Sequence, residues 1–197
     1  MDISFALSEW SGWKSKALKN ISKEKDFLNI GKDPDVSSIP PLLRRRLNLL
    51  GRACANEILQ HVKKDENIPV VYCSQHGDIE RTFGILTGAA KGEPISPMNF
   101  SLSVHNAILG VLSIHLGLTS SISSISSDQN GLVPVLLEAV GILMSGSEKV
   151  LCVICDVTLP QIYLDDLSLP RNSYAISFIV TKSEGTSLKL IQTEEEV

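Results

Sequence analysis

What this chain has little of narrows it first. Its 197 residues carry 18 Lys and Arg against 22 Asp and Glu, a net charge of −4. It therefore lacks the basic footprint that binding to a phosphate backbone demands, and no nucleic-acid partner is expected. No apolar run is long enough to span a bilayer, because charges or Ser/Gly clusters interrupt each one. The first thirty residues have no positive start followed by an apolar core, so no secretory signal is expected. Cysteine is scarce: there are four, Cys54, Cys73, Cys152 and Cys155. Three lie inside apolar runs and read as reduced, buried side chains, which predicts a reducing, cytoplasmic setting. Cys152 and Cys155 have C-x-x-C spacing, but residues 150–156 read as a strand, where positions three apart face opposite ways. With no second pair and no suitably spaced His, the pair reads as core packing, and neither a metal site nor a cofactor is expected.

What is present is a globular composition, 43% hydrophobic and 20% charged. Residues 1–39 read as irregular, with short mixed elements and a Lys-rich stretch, stopped by Ser37-Ser38-Ile39-Pro40-Pro41. Residues 42–64 read as one amphipathic helix, with Leu42, Leu43, Leu47, Leu50, Ala53, Cys54 and Ile58 at helical spacing. Residues 68–74 read as a buried strand and residues 79–90 as a short helix. A loop over 92–97 precedes a second helix over 100–116, which Gly117 ends. Residues 174–181 and 187–192 read as a closing pair of strands with Glu184-Gly185 as the turn. Helices alternate with strands and there is no repeat or linker. The prediction is one layered α/β domain over 1–197, loosely defined over 1–38.

The middle of the chain is the informative part. Ser120, Ser121, Ile122, Ser123, Ser124 and Ile125, followed by Ser126 and Ser127, read as a strand. Next come Asp128-Gln129-Asn130-Gly131 and an apolar helix. Pro134 is tolerated only in a first turn, so that helix starts at about Gly131. Its apolar residues go nearly all round, which predicts burial. A strand that turns sharply into a buried helix is a common mount for a nucleophile, yet the residue at this tip is Gln129.

Several stretches together resemble the N-terminal half of β-ketoacyl synthases, which have the thiolase-like fold. Ile95-Ser96-Pro97 followed by Phe100 looks like that family's I-S-P-x-x-F loop. Ser103-Val104-His105-Asn106-Ala107 resembles its Asn-bearing helix, and Gly117-Leu118 precedes the elbow strand. Ala139 and Gly146 stand where the buried helix and its end are expected. Residues 150–156 replace the strand leading to the family's G-G-x-E. In ungapped register the family's Thr-Ala-Cys falls on Ser127-Asp128-Gln129. The resemblance therefore implies the elbow without its thiolate: a Gln amide is neutral and forms no acyl-enzyme. The fold implied is half of a thiolase-like protein, a mixed central sheet with a buried helix after the elbow.

Gln at the elbow is also what chain length factors look like, the inactive partners of type II polyketide ketosynthases. Some decarboxylating synthase-like domains share it. The family's two catalytic histidines belong to a second half, and His61, His76, His105 and His115 match neither. Ile39-Pro40-Pro41, Arg44-Arg45-Arg46-Leu47, Ser74-Gln75-His76-Gly77-Asp78 and Ile95-Ser96-Pro97 look like the short synthase-like proteins of aryl polyene gene clusters. The implied function is a non-catalytic subunit that pairs with an active ketosynthase and shapes its acyl tunnel. The alternatives are a malonyl-carrier decarboxylase using Gln129 and a stand-alone acyl carrier protein binding module.

Three groups of residues carry the implied roles. Ser120 to Ser127 is the strand that pairs across the interface in synthase dimers, or else an ordinary sheet strand. Met98, Asn99, Phe100 and Leu102 are tunnel or gate candidates, or else core. Arg44, Arg45 and Arg46 are candidates for docking an acidic acyl carrier protein, or else a solvated helix face.

Overall fold

The computed structural model describes residues 2–15, 28–127, 131–163 and 172–191. Its strands are β1 (Asp2–Lys14), β2 (Leu28–Ile30), β3 (Val70–Cys73), β4 (Ile122–Ile125), β5 (Lys149–Asp156), β6 (Tyr174–Thr181) and β7 (Thr186–Ile191). They form one mixed sheet in the order β2-β1-β6-β5-β3-β4, with β7 added to β1. β3 runs parallel to both β4 and β5, while β6 is antiparallel to β5 and β1.

The helices are α1 (Pro41–Arg44), α2 (Leu49–His61), α3 (Ile79–Ala90), α4 (Pro97–Ser101), α5 (Ala107–Leu116) and α6 (Leu132–Met144). Strand alternation sorts the core into two layers. On one face Leu151, Val153 and Cys155 of β5 pack with Leu50, Cys54 and Ile58 of α2 and with Leu109 and Leu112 of α5. On the other face Val150 and Cys152 pack with Val135, Ala139 and Leu143 of α6. The C-x-x-C pair is thus split across the sheet, and all four cysteines are buried free thiols. Burial pushes the thiols of Cys54 and Cys152 up, away from the reactive thiolate. No helix among the described residues is long and apolar enough to cross a membrane.

The predicted helix over 42–64 is two. Asn48 ends the first segment's reach because its side chain accepts a hydrogen bond from the Gly51 amide at 3.2 Å and caps α2 anew. The predicted helix over 100–116 is also two. Ser96 caps α4, and the hydroxyls of Ser101 and Ser103 donate to the carbonyls of Met98 and Phe100 at 2.9 and 2.8 Å. Such side chains compete with the helical ladder, and regular helix resumes only at Ala107. Gly117 closes α5 in the left-handed region, φ 69°, as its position predicts.

Residues 2–14, within the stretch 1–39 that reads as irregular, are one regular strand. β1 is a strand of 13 residues, and a register shift between Leu7 and Trp10 breaks the alternation that would reveal it. The last two strands do not form a hairpin; each pairs with β1. The turn between them runs hard against β1. Gly185 sits at φ 114°, and an added Cβ would collide with the Leu7 carbonyl. Gly185→Ala is therefore expected to cost about 2 kcal/mol or more, read as a lowered thermal midpoint. An unchanged midpoint would mean that β7 is not held against β1 in this way.

Candidate functional site

Parallel strands deliver their carboxyl ends to one place, which is where loop residues gather for chemistry in open α/β sheets. Here the ends of β3, β4 and β5 converge beside the start of α6. Asp156, at the end of β5 and buried, is the hub. Its Oδ1 accepts from the Ser74 hydroxyl at 2.7 Å and from the amides of Gln75 and His76 at 3.0 and 3.3 Å. Ser74 in turn accepts from the Gly77 amide at 2.8 Å. The Tyr174 hydroxyl donates to Asp156 Oδ2 at 3.4 Å. The loop after β3 is thus wound around one carboxylate.

The end of β4 leans on this loop. Ser126 donates to the Gln75 carbonyl at 3.2 Å, and His105 Nε2 donates to the Ile125 carbonyl at 2.8 Å. The His105 ring lies 5.5 Å from that of Tyr72. Gly77, at φ 57°, leaves room for it, since a Cβ there would stand 2.8 Å from His105 Nδ1. Gly131 packs on Cys73, where a Cβ would come within 3.1 Å of Sγ. Gln129 itself lies outside the described residues.

Cys73 is a described thiol at this end, and burial, with a smaller contribution from Asp156, pushes it up to about 11. It stays protonated at neutral pH and so is a poor nucleophile. His76 has a buried Nε2 without a hydrogen-bond partner. Among the described residues no group of three or more His, Cys, Asp or Glu side chains is arranged to hold a metal ion.

The predicted site residues fall in three places. Met98 and Phe100 are exposed on α4, not in the core. Asn99 accepts from Arg81 Nη1 at 3.1 Å, and Leu102 packs half-buried against the α2/α5 core. The strand of the 120–127 stretch is short, Ile122–Ile125, and is the outer strand of the sheet. Ile122 and Ile125 are three apart, so they do not share a face: Ile125 packs on the α6 side, while Ile122 pairs in register with Val70 of the α2/α5 side. Arg45 is exposed, with Arg44 and Arg46 half-buried, at the end of α1 and the turn after it.

Sequence reasoning passed over Arg81. It forms an ion pair with buried Asp78, Nε to Oδ2 2.8 Å, and donates to the Arg46 carbonyl at 3.1 Å. Asp78 also caps α3 and accepts from Asn48 at 2.7 Å. One guanidinium thereby fixes α3, α4 and the turn after α1. A second cluster lies beneath α2. Glu57, fully buried, accepts from the hydroxyls of Ser11 and, at 2.9 Å, Ser177. Asn56 and Gln60 donate to its other oxygen at 3.0 and 3.2 Å. His61 Nε2 lies 2.9 Å from Ser177 Oγ, and Nδ1 lies 3.4 Å from Glu9. Ser, His and Glu adjoin here as in a hydrolytic triad, but Ser177 is sealed from solvent and is shared with Glu57. A substrate has no path to it, and the cluster is structural.

A mixed sheet with helices α2 and α5 on one face, and with α6 on the other starting near the carboxyl ends of the parallel strands, is a layered α/β protein of the thiolase-like class. The sequence places it further: residues 10–197 match the family described as beta-ketoacyl synthase, N-terminal domain, and the chain belongs to that family. In structure it is similar to a chain in the complex of the ketosynthase ApeO with its chain length factor ApeC from Xenorhabdus doucetiae. That likeness has a TM-score of 0.79 at 25% identity, over 93% of this chain and 81% of that one. The ishigamide ketosynthase/chain length factor is similar at TM-score 0.60 and 15% identity, over 75% of this chain and 47% of that one. A beta-ketoacyl synthase from Burkholderia phymatum STM815 gives 0.59 and 15%, over 78% and 46%. The chain thus spans about half the length of these last two. No curated protein matches it in sequence.

Proposed function

We propose that this chain is a catalytically silent, chain-length-factor-like subunit that completes an active ketosynthase in polyene or polyketide elongation. The observation that carries the reading is the outer strand β4, whose far side pairs with no other described strand, together with apolar side chains that are exposed among the described residues. Helix α3 buries no residue, and Leu86, Ile95, Met98, Phe100 and Val104 are all exposed around it. An unpaired edge next to an apolar face is what a monomer avoids and a subunit needs. The likeness to a ketosynthase–chain length factor complex supports the same partner.

In this reading residues 120–127 lie at the contact, and Met98, Asn99, Phe100 and Leu102 wall the partner's acyl tunnel. Side-chain volume there limits chain length by exclusion. Arg44, Arg45 and Arg46 receive the acidic carrier protein, and Gln129 stands where the partner has its nucleophile. The setting is the reducing cytoplasm.

The test is co-expression with the ketosynthase of the same gene neighbourhood, followed by the mass of the purified species and the product lengths. A stable complex is expected, with Phe100→Ala lengthening the products while leaving the chain's own melting unchanged, because Phe100 is exposed in the chain. A chain indifferent to the ketosynthase overturns the reading in favour of a binding module. Priming lost on Gln129→Ala overturns it in favour of a decarboxylase.

A further inference from the structure

Helix α4 carries Met98, Asn99 and Phe100, yet it has little packing to hold it. It is five residues long and none of them is buried. Just past its carboxyl end Leu102 packs half-buried against the α2/α5 core. At its amino end a cleft of about 210 Å³ lies between α3 and residues 93–99, with Gly84, Gly88, Ser96 and Asn99 in its lining. Glycine keeps α3 from filling that space: a Cβ on Gly84 would meet nothing among the described residues.

A hydrogen bond crosses the cleft instead. Arg81 Nη1 donates to Asn99 Oδ1 at 3.1 Å. The guanidinium is aimed by its other two nitrogens, with Nε on buried Asp78 Oδ2 at 2.8 Å and Nη2 on the Arg46 carbonyl at 3.1 Å. A planar fork held at two points has its third direction fixed. Asp78 is anchored in turn, since it caps α3 and accepts from Asn48, the cap of α2. A line of bonds thus runs from the start of α2 through Asp78 and Arg81 to α4.

We propose that Arg81 is a positioning residue for chain length: it fixes where α4 presents Met98 and Phe100, and so makes the product length sharp. The proposal rests on the ketosynthase-partner reading above and names what holds that wall in place. Exclusion by side-chain volume selects one length only if the volume stays in one place. A helix pinned at Leu102 alone yields to the next extension unit. Asn99 serves the wall by accepting from Arg81 and so placing its neighbours.

Two substitutions test this. Asn99→Ala removes the acceptor, and Asn99→Asp gives Arg81 a stronger one. Asn99 is exposed, so neither should move the melting of the chain. In the chain alone, millisecond hydrogen exchange at 98–102 should rise about tenfold in Asn99→Ala, the factor that one lost hydrogen bond to a charged group corresponds to. It should return to the wild-type rate in Asn99→Asp. With the ketosynthase of the same gene neighbourhood, wild type should give one dominant product length, Asn99→Ala a spread of neighbouring lengths, and Asn99→Asp one dominant length again. Phe100→Ala, by contrast, should move the dominant length without spreading it. Arg81→Lys cannot meet three partners at once and should spread the lengths as Asn99→Ala does, with the two combined no worse than either. Short products or none from Asn99→Asp would place that side chain itself in the apolar tunnel, where a carboxylate is costly, and would overturn the proposal. Exchange at 98–102 that ignores Asn99→Ala, or product lengths that stay sharp in it, also overturns it. A chain that never joins the ketosynthase, with the exchange as expected, overturns the function proposed above and leaves the hold of Arg81 on α4 standing.

Discussion

Asp156→Ala should unfold this protein more readily than almost any other single change at the elbow, by about 4 kcal/mol. The carboxylate is buried and gathers the Ser74 hydroxyl with the amides of Gln75 and His76. Deleting it leaves two amide donors and a hydroxyl in a dry pocket, and each unsatisfied buried group costs about 1–3 kcal/mol. Asp156→Asn keeps the shape and one acceptor oxygen, and so is expected to lose about half as much. The consequence reaches the outer strand β4: Gln75 holds Ser126 through its carbonyl, so a loosened loop releases the end of β4. Amide exchange should rise first at 74–78 and then at 122–127, before the core of β5. Equal protection in wild type and Asp156→Ala would show that the loop is held by something else.

Much of this architecture could be read from residue order. The span of α3, the left-handed end at Gly117, the start of α6 near Gly131 and the strand over 174–181 follow from local capping, glycine and proline chemistry. The layered class followed from the alternation of elements, and the family from short motifs around Ser96 and the elbow. What was not legible depends on partners far along the chain. The β1 bulge hides a strand because alternation fails there. Asn48, Ser101 and Ser103 break helices that apolar spacing alone joins, because spacing records burial and not side-chain bonds to backbone. Leu132, Val133, Leu137 and Met144 of α6 are exposed where burial all round is expected, because periodicity reports how apolar a face is and not what packs on it. Asp156 meets Ser74 across 82 positions, and Glu57 meets Ser177 across 120. No local pattern announces such a pair, and His61 reads as a packing or surface residue until Ser177 is placed beside it.

Glu57→Ala should be as damaging as Asp156→Ala, about 4 kcal/mol, and it separates two accounts of a buried carboxylate. In one, the charge is a net stabiliser. In the other, the charge and its donors merely satisfy one another, and the harm of losing Glu57 is the harm of stranding its partners. Ser11, Ser177, Asn56 and Gln60 all donate to it, and the first two are buried on strands β1 and β6 beneath α2. Removing one side of a buried network leaves the other unpaired, whereas replacing both sides with apolar groups of similar shape is close to neutral. Glu57→Leu combined with Ser11→Ala and Ser177→Ala is therefore expected to recover most of the loss, leaving about 1 kcal/mol. His61 then keeps its contact with Glu9 at the surface. Chemical denaturation of the single and triple variants reads the difference directly. A triple variant no better than Glu57→Ala would mean that the carboxylate itself, and not the satisfaction of its neighbours, holds α2 to the sheet.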